Sequence, residues 1–316
     1  MNIKSFFRLV EIQTKVASVI PYLLGIFYTL YRYDEFNLKN TIILFLAMII
    51  FDMVTTTINN YMDYLKAIKK EGYGYEHHNA IVSNNLKPKI VKVIIYIMLI
   101  IAIFLGLLLV KNTNIIVLLI GAISFVIGIT YSFGPIPISR TPFGEIFSGL
   151  AMGFIITFLS VYIHIFDAGI LSINFNDFNN INISINFLEL INIFIISISP
   201  IVGIANIMLA NNICDIEEDI ENERYTLPVY IGKENALKIF KYLYYIGFIS
   251  IVIGVLIRLL PIISIVTLLA LKIVKRNITK FNKLQSKKDT FVLTVKNFII
   301  INLTYAITIL CGIALH

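Results

Sequence analysis

Nine long apolar runs, near 16–33, 41–64, 90–110, 115–131, 143–166, 189–213, 238–257, 259–274 and 292–313, divide this chain. Most approach the roughly 20 residues that a helix needs to cross the hydrocarbon core of a bilayer; the eighth is short for a span. No water is present there to satisfy backbone N–H and C=O groups, so runs of this kind fold as helices that bond internally. Only 14% of the 316 residues are charged and 58% are hydrophobic, against about 25% charged in soluble domains. The expectation is an all-α integral membrane protein of about nine transmembrane helices, with residues 1–316 forming one transmembrane domain. Lys4, Arg8, Glu11 and Lys15 interrupt any early apolar run, so no cleavable signal is expected.

The linking segments alternate in charge. All but four of the 26 Lys and Arg fall at the N-terminus or in and beside the segments after runs two, four, six and eight; the exceptions are Arg32, Lys39, Lys111 and Arg258. Basic residues concentrate on the cytoplasmic side of a membrane protein. This places the N-terminus in the cytoplasm and the chain, by expectation, in the cell membrane as a multi-pass protein. The formal net charge of +7 then reports topology, and no nucleic-acid partner is expected. Cys214 and Cys311 are too few for a disulfide framework. The Asn- and Ile-rich stretch 173–192 has no Lys or Arg and reads as an outer loop of biased composition, with no chemistry assigned to it.

Two apolar runs close in polar clusters at the basic side. NNICDIEEDIENERYTL, 211 to 227, carries Asn211, Asp215 and Asp219 at steps of four, a spacing that puts them on one face of a helix. TTTINNYMDYLKA, 55 to 67, carries Asn59 and Asp63 in the same relation, and extends back through Thr56 to Asp52. Two such oxygen faces suit hard cations and a polyphosphate held between them. An Asp as deep as Asp52 costs about 2.5–3.5 kcal/mol on insertion scales and needs a partner or a wet cavity; a structural hydrogen bond and a direct role are both open. In YSFGPIPISRTPFGE, 131 to 145, Pro and Gly break the chain into a turn, and Arg140 suits a bidentate phosphate contact. Arg224 follows the second cluster, and Lys15 stands at the mouth of run one as an anion ligand or an interfacial anchor. The segment 66–89 holds Lys66, Lys69, Lys70, His77 and His78, a basic flap by composition; adjacent histidines diverge by about 100° on a helix and do not share a metal. His164 reads as a packing residue.

These stretches resemble the UbiA superfamily of intramembrane prenyltransferases, and within it the 1,4-dihydroxy-2-naphthoate branch of the menaquinone pathway. NNYMDYLKA resembles the first family motif, NDxxDxxxD in general and NDYxDYxxG in that branch. NNICDIEEDIENERYTL resembles the second, with its DxxxD intact, and YSFGPIPISRTPFGE resembles the branch's YTGGPxPIxxTPFGE. The first motif departs at its second and ninth positions, Asn60 and Ala67; Lys69 stands where an acid is usual, and Cys214 replaces an Arg. Asp63 is the one carboxylate the first motif keeps.

The resemblance implies a UbiA-like bundle around a central cavity that opens to the cytoplasmic side. It implies Mg²⁺ on the diphosphate of a polyprenyl donor, held by Asn59, Asp63, Asp215 and Asp219. Lys15, Asn59, Lys66, Arg140, Asn211 and Arg224 would bind substrate, and Tyr131, with the three aspartates, would stand at the reacting centre. The partners would be a polyprenyl diphosphate, an aromatic acceptor and the lipid bilayer. Alternatives are a family member acting on another acceptor, such as 4-hydroxybenzoate or haem, and an ion-coupled membrane transporter. Transporter sites gather near the bilayer midplane at broken helices, whereas here only Asp52 lies deep.

Overall fold

In a computed structural model, which describes residues 1–66, 79–177 and 180–315, every apolar run is helical. A short helix α1 (Ile3–Leu9) precedes α2 (Val16–Tyr33), and the two are bent by 50° at the break between them. There follow α3 (Leu38–Lys66), α4 (Ala80–Ser83), α5 (Pro88–Asn112), α6 (Ile115–Ser132) and α7 (Gly144–Tyr162). After a β-hairpin come α8 (Phe187–Cys214), α9 (Ile216–Glu221), α10 (Leu227–Ile231), α11 (Lys233–Leu256), α12 (Leu271–Lys283) and α13 (Phe291–Ala314). Among the described residues seven of these helices are long and apolar enough to cross a membrane, or eight if the bent α1–α2 pair counts as one span. The eighth apolar run begins as a 3₁₀ segment, Ile262–Ala270, and continues into α12.

The helix starts follow local chemistry. Asn114 and Asn186 accept hydrogen bonds from the backbone N–H groups of Ile116 and Glu189, capping α6 and α8. Pro88 opens α5, where its missing N–H costs nothing. With lipid tails as apolar as the side chains, helices associate by close packing, which small residues permit. Gly149 and Gly153 lie in a π-helical stretch of α7 (Gly149–Ile155) pressed against α8; a Cβ at Gly153 would fall 2.5 Å from the Ile201 Cα. α3 packs along α5, α8 along α11, and α13 along α2. Ile97, Ile100 and Phe104 on α5 and Val126 on α6 face outward.

The stretch 173–192, read as a connecting loop of biased composition, holds most of a β-hairpin and the first turns of α8. β1 (Leu171–Asp177) pairs antiparallel with β2 (Asn180–Ile185). Ile173, Phe175, Ile181, Ile183 and Ile185 alternate with polar residues, the period-two pattern of a strand. His164 accepts a hydrogen bond from the Asn37 N–H at 2.8 Å and stacks on Phe36.

Candidate active site

A cavity of about 780 Å³ is enclosed by α2, α3 and α5 to α8. Its polar end is built where α3, α8 and the Pro/Gly turn after α6 finish. Asn59, Asp63, Tyr131, Ser132, Arg140, Asn211, Asp215, Asp219 and Arg224 all line it, so the three sequence clusters converge on one space. Most of the remaining wall is apolar, from Leu44 and Met48 on α3, through Gly106 and Leu107 on α5, to Gly121 and Phe125 on α6.

On α3 the i, i+4 relation of Asn59 and Asp63 holds: the Asn59 Nδ2 donates to Asp63 Oδ2 at 3.3 Å. Ser132 at the end of α6 donates to Asn59 Oδ1 at 2.9 Å, which leaves that oxygen a second lone pair. The second cluster differs from the single helix expected. α8 stops at Cys214, Asp215 takes φ −107° and ψ 8° as the cap between two helices, and α9 begins at Ile216. The Asp219 N–H still donates to the Asp215 carbonyl, at 2.7 Å, so both carboxylates stay on the cavity side. Asn211 Nδ2 lies 3.4 Å from Asp215 Oδ2.

Asp219 is 1% exposed, with Arg224 Nε 3.3 Å from Oδ1 and the Thr226 hydroxyl donating to Oδ2 at 2.9 Å. Burial pushes its carboxyl up to about 6, against the opposing pull of Arg224 and Thr226; a bound cation would lower it again. The Arg224 contact is an ion pair without hydrogen-bond geometry, and its buried Nε has no hydrogen-bond acceptor among the described residues. Arg140 Nη1 donates to the Asn222 carbonyl at 3.4 Å, and the Arg140 carbonyl accepts from the Tyr225 N–H at 3.1 Å, stitching the Pro/Gly turn to the loop after α9. Burial, then the neighbouring Arg224 charge, push the Arg140 guanidinium below its usual value. Two guanidiniums so close together favour an anion between them. The buried Tyr131 hydroxyl has Ser148 as its polar neighbour and makes no hydrogen bond of good geometry among the described residues.

Lys15 is the predicted site residue that the structure keeps away from this end. Its buried ammonium uses all three donors, on Asp52 Oδ1 at 2.6 Å, Thr56 Oγ1 at 2.7 Å and the Asp52 carbonyl at 3.1 Å. Ser18 satisfies the other Asp52 oxygen at 2.6 Å. Asp52 lies 11 residues before Asp63, roughly 16 Å along the helix at 1.5 Å per residue. Lys15 is therefore the partner that lets Asp52 sit deep in α3, where Asp52 also lines the cavity. Lys66 closes α3. Of the basic segment 66–89 read as a flap, residues 67–78 lie outside the described residues, and with them Lys69, Lys70, His77 and His78, while its second half holds α4 and the start of α5.

Sequence reasoning missed Lys287. This residue, in the segment between α12 and α13, lines the cavity and places its ammonium 2.5 Å from Asp215 Oδ2. No local motif marks it; the one available signal was that its loop returns to the same basic side as both acidic clusters. Glu145, the last residue of the turn motif, is 3% exposed and accepts from Asn212 Nδ2 at 2.8 Å, a link behind the cavity wall.

The donor set is entirely oxygen, and among the described residues no three His, Cys, Asp or Glu gather as a self-sufficient metal site. Mg²⁺ takes one or two protein carboxylates and completes its octahedron with phosphate and water. The residues present therefore fit a metal that arrives with a diphosphate, and the Arg224 Nε, ion-paired but without a hydrogen-bond acceptor among the described residues, fits the anion.

Residues 18–302 match the UbiA prenyltransferase family. The chain is 30% identical over 252 residues to the 1,4-dihydroxy-2-naphthoate octaprenyltransferase of Bacillus subtilis (strain 168), covering 78% of this chain and 71% of that protein. Its fold is similar to the apo structure of a UbiA homolog from Aeropyrum pernix K1, with a TM-score of 0.70, 17% identity and coverage of 93% and 98% of the two chains. It is also similar to a UbiA homolog from Archaeoglobus fulgidus bound to GPP and Mg²⁺, with a TM-score of 0.65, 17% identity and coverage of 98% and 99%. This predominantly helical membrane bundle, with two acidic clusters at one cavity and a match along most of its length, belongs to the UbiA prenyltransferase family.

Proposed function

We propose that this prenyltransferase joins a long polyprenyl chain, carried as its diphosphate, to 1,4-dihydroxy-2-naphthoate in menaquinone biosynthesis. The observation that carries the reading is the cavity's division into a charged end and a long apolar remainder. On α3 alone it runs from Leu44 to Asp63, about 28 Å at 1.5 Å per residue. Gly106 and Gly121 line it with open space where a side chain would stand. The acceptor follows from the Bacillus subtilis relative, whose name specifies that substrate.

Asn59, Asp63, Asp215 and Asp219 are the residues that would hold Mg²⁺, which, when bound, neutralises the diphosphate as it leaves. Arg140, Arg224, Asn211 and Lys66 bind the diphosphate oxygens, and the two guanidiniums fix its orientation. The apolar wall excludes water from the allylic carbon, so the electron-rich ring carbon is the nucleophile that reaches it. The C–O bond to diphosphate breaks as the new C–C bond forms. By likeness to the naphthoate branch, the acceptor's carboxyl then leaves as CO₂. Tyr131 offers its hydroxyl to the acceptor in that wall.

Purified protein with labelled polyprenyl diphosphate, Mg²⁺ and a panel of acceptors is the test. Prenylated, decarboxylated naphthoquinol is expected, with EDTA abolishing its formation and Mg²⁺ restoring it. Transfer to 4-hydroxybenzoate instead would overturn the acceptor. Gradient-driven uptake of an ion into proteoliposomes without any prenyl transfer would overturn the reaction.

The site faces the cytoplasm across the cell membrane, as the bias of Lys and Arg supports. A single cysteine introduced at exposed Lys283 should label only from inside, and one at exposed Ser184 only from outside. The reverse pattern would exclude this orientation.

A further inference from the structure

Asp215 is buried, and its one cationic partner among the described residues is Lys287, with Nζ 2.5 Å from Oδ2. The lysine side chain is a third exposed, so it is not locked in place. Its backbone is. Thr290 Oγ1 donates to the Leu284 carbonyl at 2.7 Å and accepts from the Ser286 N–H at 3.0 Å. Ser286 Oγ donates to Asp289 Oδ2 at 2.8 Å and accepts from the Asp289 N–H at 3.2 Å. A pinned turn thus presents a flexible four-carbon stem with three rotatable donors at the rim of the charged end. The oxygen it occupies belongs to a carboxylate assigned above to the metal.

We infer that Lys287 is a built-in counter-cation: it neutralises Asp215 in the donor-free protein, yields that carboxylate to the divalent cation, and moves its ammonium onto the incoming diphosphate. The inference rests on the proposed reaction for the identity of its ligands. It gives Lys287 two opposite effects. Before the donor arrives it competes with the metal for Asp215; afterwards it adds a charge-assisted contact to the anion. A residue that only supports the fold would move both affinities in one direction or neither.

The experiment uses the full chain in detergent with Lys287→Met. Mn²⁺ binding followed by electron paramagnetic resonance, with no donor present, should tighten by about threefold, a modest effect because the pair is partly exposed. Inorganic pyrophosphate at saturating Mg²⁺, followed by calorimetry, should bind about tenfold more weakly, the range of one hydrogen bond to a charged group. Lys287→Arg should return both affinities toward the original, and Lys288→Met on the exposed neighbour should change neither. Loss of both affinities together, or a shift in neither, would overturn the role given to Lys287. Opposed shifts in a chain that alkylates no acceptor would instead sink the proposed reaction, and an active chain without opposed shifts would sink only this inference.

Discussion

Asp219→Ala is expected to lower prenyl transfer by at least about a hundredfold, the usual loss when one preorganised electrostatic group is removed from a reacting centre. Asp219 is the most enclosed of the three acids, and both its oxygens already have partners, Arg224 and Thr226. Deleting the carboxylate removes a metal ligand and also leaves the half-buried Arg224 with one counter-charge fewer. Two variants separate these effects. Asp219→Asn keeps the shape and an acceptor for the Thr226 hydroxyl, and loses only the charge. Asp215→Ala removes a carboxylate whose cationic partner, Lys287, is partly exposed and can return to water. All three should lose turnover on the same scale, while melting in detergent falls most for Asp219→Ala. Near-normal turnover in either alanine variant would remove that residue from the site.

How far the sequence foretold this arrangement depends on the range of the interaction concerned. The apolar runs mark the helices because hydropathy is a local property, and 16–33 matches α2 to the residue. The i, i+4 stripes bring Asn59 to Asp63 and Asn211 to Asp215 for the same reason. The hairpin at 171–185 was equally legible, since its Ile and Asn alternate, but strong compositional bias masked the alternation. The break at Asp215 carries no Pro or Gly to announce it. Lys15 was legible as a cation near a membrane boundary, yet its partner stands 37 residues away on another helix, and no spacing rule links the two. Lys287 is the extreme case: a loop residue on the far side of the second acidic cluster in sequence, joined to Asp215 only by the closing of the bundle. Local periodicity places the carboxylates; only the fold shows which cation neutralises each one.

Asp63→Asn is expected to abolish measurable transfer, while Asn60→Asp should barely alter the Mg²⁺ requirement. The two residues are close in sequence, and the contrast comes from where their side chains bond. Asp63 is the one carboxylate that α3 brings to the charged end, and the positive charges of Arg224, Arg140 and Lys287 all act on it. An amide there keeps an oxygen but loses the charge that holds a hard cation. Asn60 touches the cavity wall, but its amide nitrogen is turned to the N-terminal segment, donating to the Leu9 carbonyl at 3.2 Å and to Glu11 Oε1 at 3.1 Å. Its backbone carbonyl accepts from the Asn79 Nδ2 at 2.9 Å. An aspartate at 60 would therefore face one carboxylate and one carbonyl with no proton to offer either, and should cost about 1–3 kcal/mol of stability. Asn60→Asp is thus expected to melt earlier yet retain turnover at an unchanged Mg²⁺ midpoint. The opposite outcome, a natural chain inert toward every acceptor and rescued by Asn60→Asp, would mean that the first motif needs two carboxylates and that Asp63 alone does not complete the site.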